Sequence, residues 1–121
     1  MNPKFRIWDK ANKCWATDFT ISLDGDLLCD NGTTLFIKDN FVLTQWTYNF
    51  DKNKKEIYVS DIVKLDGHDI FYVSMFRGTH CLSWIQGNFI HNDRLLADFK
   101  ASEIEVIGDT YENGDLLDSE V

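Results

Sequence analysis

Proline is nearly absent: the chain has one in 121 residues, at position 3. Strands after it therefore meet no residue that removes a ladder donor. Cysteine is also scarce. Cys14, Cys29 and Cys81 are odd in number and widely spaced, which argues against a disulfide framework and predicts buried free thiols. No apolar run approaches the roughly 20 residues of a membrane-spanning helix. The opening residues run into Asp9, Lys10 and Lys13 rather than the apolar centre of a secretory leader. A cytoplasmic protein with no membrane partner is expected.

Basic residues are missing from the C-terminal end. From Asp98 to Val121, eight acids (Asp98, Glu103, Glu105, Asp109, Glu112, Asp115, Asp118 and Glu120) stand against one base, Lys100, leaving −7. Residues 1–97 hold twelve acids and eleven bases, or −1. A protein that grips a phosphate backbone presents a basic face. None is visible, so direct nucleic-acid binding is not expected. The acidic end is either a solvated terminus or a negative surface aimed at a basic protein partner.

Catalytic and cofactor patterns are equally thin. Asp24-Gly25 and Asn31-Gly32 fit hairpin turns rather than a phosphate cradle. Asp24, Asp26 and Asp30 are interrupted by Leu27-Leu28, against calcium-loop spacing. His68, His80 and His91 with the cysteines lack paired zinc-ligand spacing. His80 and Cys81 are adjacent, so on a strand they point to opposite faces. Glu56 and Asp61 form the most tempting carboxylate pair, but no sequence feature brings a nucleophile to them. No enzyme activity, metal or cofactor is expected.

What the chain does have is apolar bulk, 44% hydrophobic and 14% aromatic residues, in short alternating runs. Residues 4–8 alternate charge with bulk, and residues 14–16 return as a partner strand. Residues 19–23 and 26–29 flank Asp24-Gly25, a dipeptide suited to tight hairpins. Residues 33–37 add a short β-branched segment. Residues 41–48 are the strongest β run. After the polar stretch 51–55, strands are predicted at 56–58, 61–65, 68–76, 79–85 and 102–108, with Gly78 and Gly87 as breaks. Residues 94–99 are ambiguous and allow a helical turn; 109–117 is irregular or one helical turn. Turns at about 8–12 residue spacing are the cue for a barrel or sandwich.

The fold expected is mainly β, a β-rich α+β single domain over residues 1–121. Residues 1–40 form an N-terminal hairpin sheet, packed on a small SH3-like barrel over residues 41–117, with an acidic tail at 118–121. All four tryptophans fall on predicted strands. Trp8 and Trp15 flank the first turn, and either one, if exposed, would mark an interface.

Three blocks carry a resemblance. Lys4-Phe5-Arg6-Ile7-Trp8-Asp9 is similar to an opening K-F-R-x-W-D. Gln45-Trp46-Thr47, Asp51-Lys52-Asn53, Lys55-Glu56-Ile57-Tyr58 and Asp61-Ile62-Val63 match Q-Y-T-G-L-x-D-K-N-G-K-E-I-Y-E-G-D-I-V without a gap. Val106-Ile107-Gly108, Tyr111-Glu112-Asn113 and Leu116-Leu117 resemble V-I-G-N-I-Y-E-N-P-E-L-L. Together they resemble the YopX family of small phage and prophage proteins. The pattern's three glycines fall here on Tyr48, Lys54 and Ser60, its second glutamate in that block on Val59, and its proline on Gly114. At position 54 either Lys54 carries the steric penalty of a left-handed backbone or the turn is of another type.

The resemblance implies a β-rich fold, a phage or prophage origin and a bacterial host cytoplasm; it implies no reaction. The expected function is a non-enzymatic, oligomeric module that acts on a host or phage process through contacts with a protein, which includes copies of itself. The alternative is an inhibitor of a host defence nuclease, a CRISPR effector or a restriction enzyme, acting by acidic nucleic-acid mimicry through the Asp98–Glu120 acids.

Overall fold

The computed structural model describes residues 4–16, 19–21, 27–29, 34–35, 41–66, 69–86 and 89–118. The chain is mainly β, with twelve strands among these residues and one short helix, α1 (Asp115–Asp118). It divides into two compact units, residues 4–44 and residues 45 onward.

In the first unit, β1 (Phe5–Asp9) and β2 (Cys14–Ala16) form an antiparallel hairpin with Trp8 opposite Trp15. Asp9 shapes its turn: one carboxylate oxygen accepts the Ala11 and Asn12 N–H groups, and the other accepts the Asn12 amide. β3 (Phe19–Ile21), β4 (Leu27–Cys29) and β5 (Thr34–Leu35) form an antiparallel meander. Asp24-Gly25 and Asn31-Gly32 lie outside the described residues. The start of β6 (Phe41–Phe50) lies beside β1, where the Arg6 guanidinium donates to the Thr44 hydroxyl at 3.2 Å.

In the second unit the end of β6 pairs with β7 (Glu56–Tyr58) across a bulge at Thr47 and Tyr48. A five-stranded antiparallel sheet follows, in the order β11-β10-β9-β8-β12. Its members are β8 (Asp61–Leu65), β9 (Asp69–Phe76), β10 (Thr79–Gln86), β11 (Phe89–Leu95) and β12 (Ile104–Asp109). Two 3₁₀ turns, Leu96–Asp98 and Ala101–Glu103, carry the chain from β11 to β12. They resolve the ambiguity over residues 94–99: Arg94 and Leu95 end a strand, and Leu96 starts the turn. The sheet is a curled half-barrel. Among the described residues β11 and β12 remain its two edges, and no pairing closes it into an SH3-like barrel.

Alternation in sequence becomes a core on one face of this sheet. Val63, Leu65, Phe71, Val73, Leu82 and Ile104 pack there with Ile57 and Leu96, all buried. Trp84, Phe99 and Val106 pack against them. β9 and β10 are joined at Arg77-Gly78, both with positive φ (52° and 77°). That is the geometry of a primed two-residue turn, whose twist matches a hairpin.

The middle sequence block is a set of backbone clamps. Asp51 is 3% exposed; one of its carboxylate oxygens accepts the Asn53 and Lys55 N–H groups, and the other accepts the Val106 N–H on β12. Burial pulls this carboxyl upward, but the N–H groups of Val106, Lys55 and Asn53, aided by the Lys55 charge, outweigh it and hold it below the usual aspartate value. Tyr48, Lys54 and Ser60 all have positive φ (66°, 64° and 80°). The turn at position 54 thus keeps the geometry that glycine favours, and lysine occupies it.

Candidate interaction surface

Each residue singled out in the sequence now has a place. Asp61 is 1% exposed and accepts the Tyr58 N–H at 2.7 Å, closing the tight β7–β8 connection. Glu56 accepts the Tyr58 hydroxyl at 3.3 Å. These contacts make the pair an architectural one, tied through Tyr58. His80 is half-buried with its Nε2 lacking a partner, and burial holds its pKa below the ordinary value. Cys81 is buried, whereas Cys14 is exposed, against the expectation of buried thiols. Cys14 sits at the first position of a three-residue strand, where the turn leaves its side chain uncovered. The Cys29 side chain and His68 lie outside the described residues.

Trp8 is buried, and its ring meets Trp15 edge-to-face at 5.1 Å. Trp15 is half-buried beneath the Arg6 guanidinium, 4.1 Å from its centroid. Their cross-strand pairing and the cation over Trp15 fasten the first hairpin.

The acids of the C-terminal end do not share one environment. Asp109 is 6% exposed, and one of its oxygens accepts the Tyr111 and Glu112 N–H groups. Glu103 accepts the Lys100 N–H, and Glu105 lies 3.9 Å from the Lys52 ammonium. Asp98, Glu112 and Asp115 are exposed. The Asp118 side chain and Glu120 lie outside the described residues.

Apolar exposure collects elsewhere, on strands β9 to β11. Phe89 is 72% exposed, Ile90 64%, Ile85 49% and Phe76 47%, with Met75 and Leu95 also exposed. Ile85 and Ile90 are directly paired across β10 and β11. β11 is a sheet edge, so its outer row of backbone N–H and C=O groups has no strand partner among the described residues. Natural edges are commonly blunted by charged side chains, proline, bulges or brevity. β11 runs seven residues, Phe89–Leu95; its bulge and its charged residues, Asp93 and Arg94, fall in its second half, and Phe89-Ile90 at its start has none of these devices.

Sequence reasoning passed over β11. Its residues Phe89-Ile90-His91-Asn92 do not alternate cleanly, because β11 is half uncovered and bulged. One signal was present: Gly87-Asn88 is a hairpin-type dipeptide lying between Gln86 and Phe89.

Among the described residues no helix is long and apolar enough to cross a membrane. The family model described as YopX protein matches residues 4–118. No curated protein matches the chain. Among solved structures, protein EF1440 from Enterococcus faecalis is similar, with 23% identity and a TM-score of 0.60 over 97% of this chain and 99% of that one. At that identity the likeness extends to the fold.

Proposed function

Since this chain belongs to the YopX family, we propose that it is a non-enzymatic protein-binding module of a phage or prophage, working in the bacterial cytoplasm and docking through the β11 edge. The observation that carries this is the coincidence of an unpaired strand edge with the exposed Ile85, Phe89 and Ile90. An added strand would satisfy the free backbone groups, while the apolar side chains supply affinity. The same edge on a second copy offers a route to a symmetric oligomer.

A binding role rather than catalysis is supported by how the buried acids are used. Asp51, Asp61 and Asp109 each spend carboxylate oxygens on backbone N–H groups. The acidic-mimic alternative draws support from the exposed Asp98, Glu112 and Asp115 alone among the described residues, and the apolar edge is the more coherent surface.

The test is capture of partners by the tagged full chain from bacterial lysate, beside light scattering of the purified protein. A partner or self-association that survives high salt and is lost in Phe89→Asp and Ile90→Lys supports docking at the edge. Binding released by salt, kept by both variants and lost on reversing Asp98, Glu112 and Asp115 to lysine would replace it with charge mimicry.

A further inference from the structure

A cleft of about 390 Å³ opens in the second unit, lined by residues of β9, β10, β11 and α1. Phe71, Trp84 and Leu117 supply apolar walls, Ile70 and Ile85 lie at its lining beside them, and Asp69 and Arg94 line the same space. Its size falls in the lower part of the roughly 300–1,000 Å³ range of small-ligand sites.

The fold goes to some length to place Arg94. The β10–β11 register pairs Leu82 with Arg94 and Trp84 with His91, so Asn92 and Asp93 oppose the single Ser83. Such a bulge re-aims the side chains beside it. Arg94 is carried over two rings, with its guanidinium carbon 5.4 Å from the Phe71 centroid and 5.8 Å from that of Trp84. Those rings are themselves fixed. Phe71 meets Trp84 edge-to-face at 5.7 Å, and His91 stacks on Trp84 at 4.7 Å with 12° between planes.

Cation–π contact engages the face of a guanidinium and leaves its in-plane N–H fork open. Among the described residues no carboxylate pairs with Arg94, and Asp69 likewise has no ion-pair partner. Two unlike charges therefore line one cleft beside aromatic rings without neutralising each other. A ligand that satisfies both is a zwitterion with an apolar body.

We propose that this cleft binds a free α-amino acid with a large apolar or aromatic side chain. The carboxylate takes the Arg94 fork, bidentate and charge-assisted. The ammonium group is held by Asp69, and the side chain lies against Phe71, Trp84 and Leu117. The cleft shares Ile85 and strand β11 with the docking surface, but its two charged groups, Asp69 and Arg94, take no part in that docking.

The experiment is an NMR titration of the ¹⁵N-labelled full chain with L-phenylalanine, L-phenylalaninamide and 3-phenylpropionate, each to about 10 mM, a ceiling set by the modest affinity of so small a ligand. L-Phenylalanine should give saturable shifts at the Ile70, Phe71 and Trp84 amides. The amide, lacking the carboxylate, and the propionate, lacking the ammonium, should each bind more weakly. Arg94→Gln should weaken L-phenylalanine by at least about tenfold, and Asp69→Asn by less. Both charged residues are exposed, so neither substitution threatens the fold. Absence of saturable shifts, full retention of binding by Arg94→Gln, or equal binding of 3-phenylpropionate would overturn the proposal.

Discussion

Replacing Lys54 by glycine should stabilise this protein, although glycine ordinarily weakens a fold. Lys54 holds φ at 64° in the turn between β6 and β7, and its N–H donates to the Asp51 carbonyl at 3.0 Å. A left-handed backbone costs a residue with a Cβ roughly 1–2 kcal/mol, a penalty that glycine escapes. Against that, glycine gains unfolded-state freedom worth about 0.5–1 kcal/mol. The difference is a net gain of about 0.5–1 kcal/mol for Lys54→Gly, because the exposed lysine side chain gives up little when removed. Ser60, at 80°, should behave alike. Tyr48 should not: its ring lies 5.1 Å from that of Trp46, and losing an aromatic contact worth about 0.5–1.5 kcal/mol offsets the backbone relief. Urea unfolding followed by tryptophan fluorescence would read the midpoints directly. The double variant Lys54→Gly/Ser60→Gly should gain about 1–2 kcal/mol if the two sites add, raising Tm by roughly 3–8 °C. Lys54→Ala is the control and should change little, since alanine keeps the Cβ. A loss of stability in Lys54→Gly, of the size glycine costs in ordinary backbone, would refute the left-handed assignment.

Asp51→Asn should cost about 2–3 kcal/mol, since a buried carboxylate holding three N–H groups would be replaced by an amide that must turn a donor toward one of them. Because the folded pKa of Asp51 is depressed, its contribution is present above the unfolded value of about 3.9 and is lost as pH falls through the folded one. Acid titration of stability should therefore be shallower in the variant than in the parent. Gly108→Ala should lose about 1–3 kcal/mol, because the new Cβ would stand 2.5 Å from the Asn113 amide oxygen that accepts the Asp109 N–H. In a double-mutant cycle with Asn113→Ala the two losses should be markedly less than additive, since each breaks the same contact.

The sequence by itself determined the mainly β class, most strand positions and the family. Alternation with period two places Val63, Leu65, Phe71, Val73 and Leu82 on one buried face, and a local pattern suffices for that. The blocks that carry the family resemblance are also local devices: Asp51 clamps the turn that follows it, and Gly108 leaves room for Asn113 five residues on. What sequence could not decide was which charges remain on the surface and which strand is an edge. Asp109 and Glu112 look alike in an acidic run, yet one is buried on backbone N–H groups and the other is exposed. Phe89 and Ile90 would serve as core residues in a central strand. They are exposed because strand order, a long-range pairing that no short window encodes, puts β11 at the rim of the sheet. The same pairing, with its bulge, brings Arg94 over Phe71, 23 positions away in the chain. Only the tertiary structure sets two such residues side by side, because side-chain period fixes the face of a strand but not its neighbours.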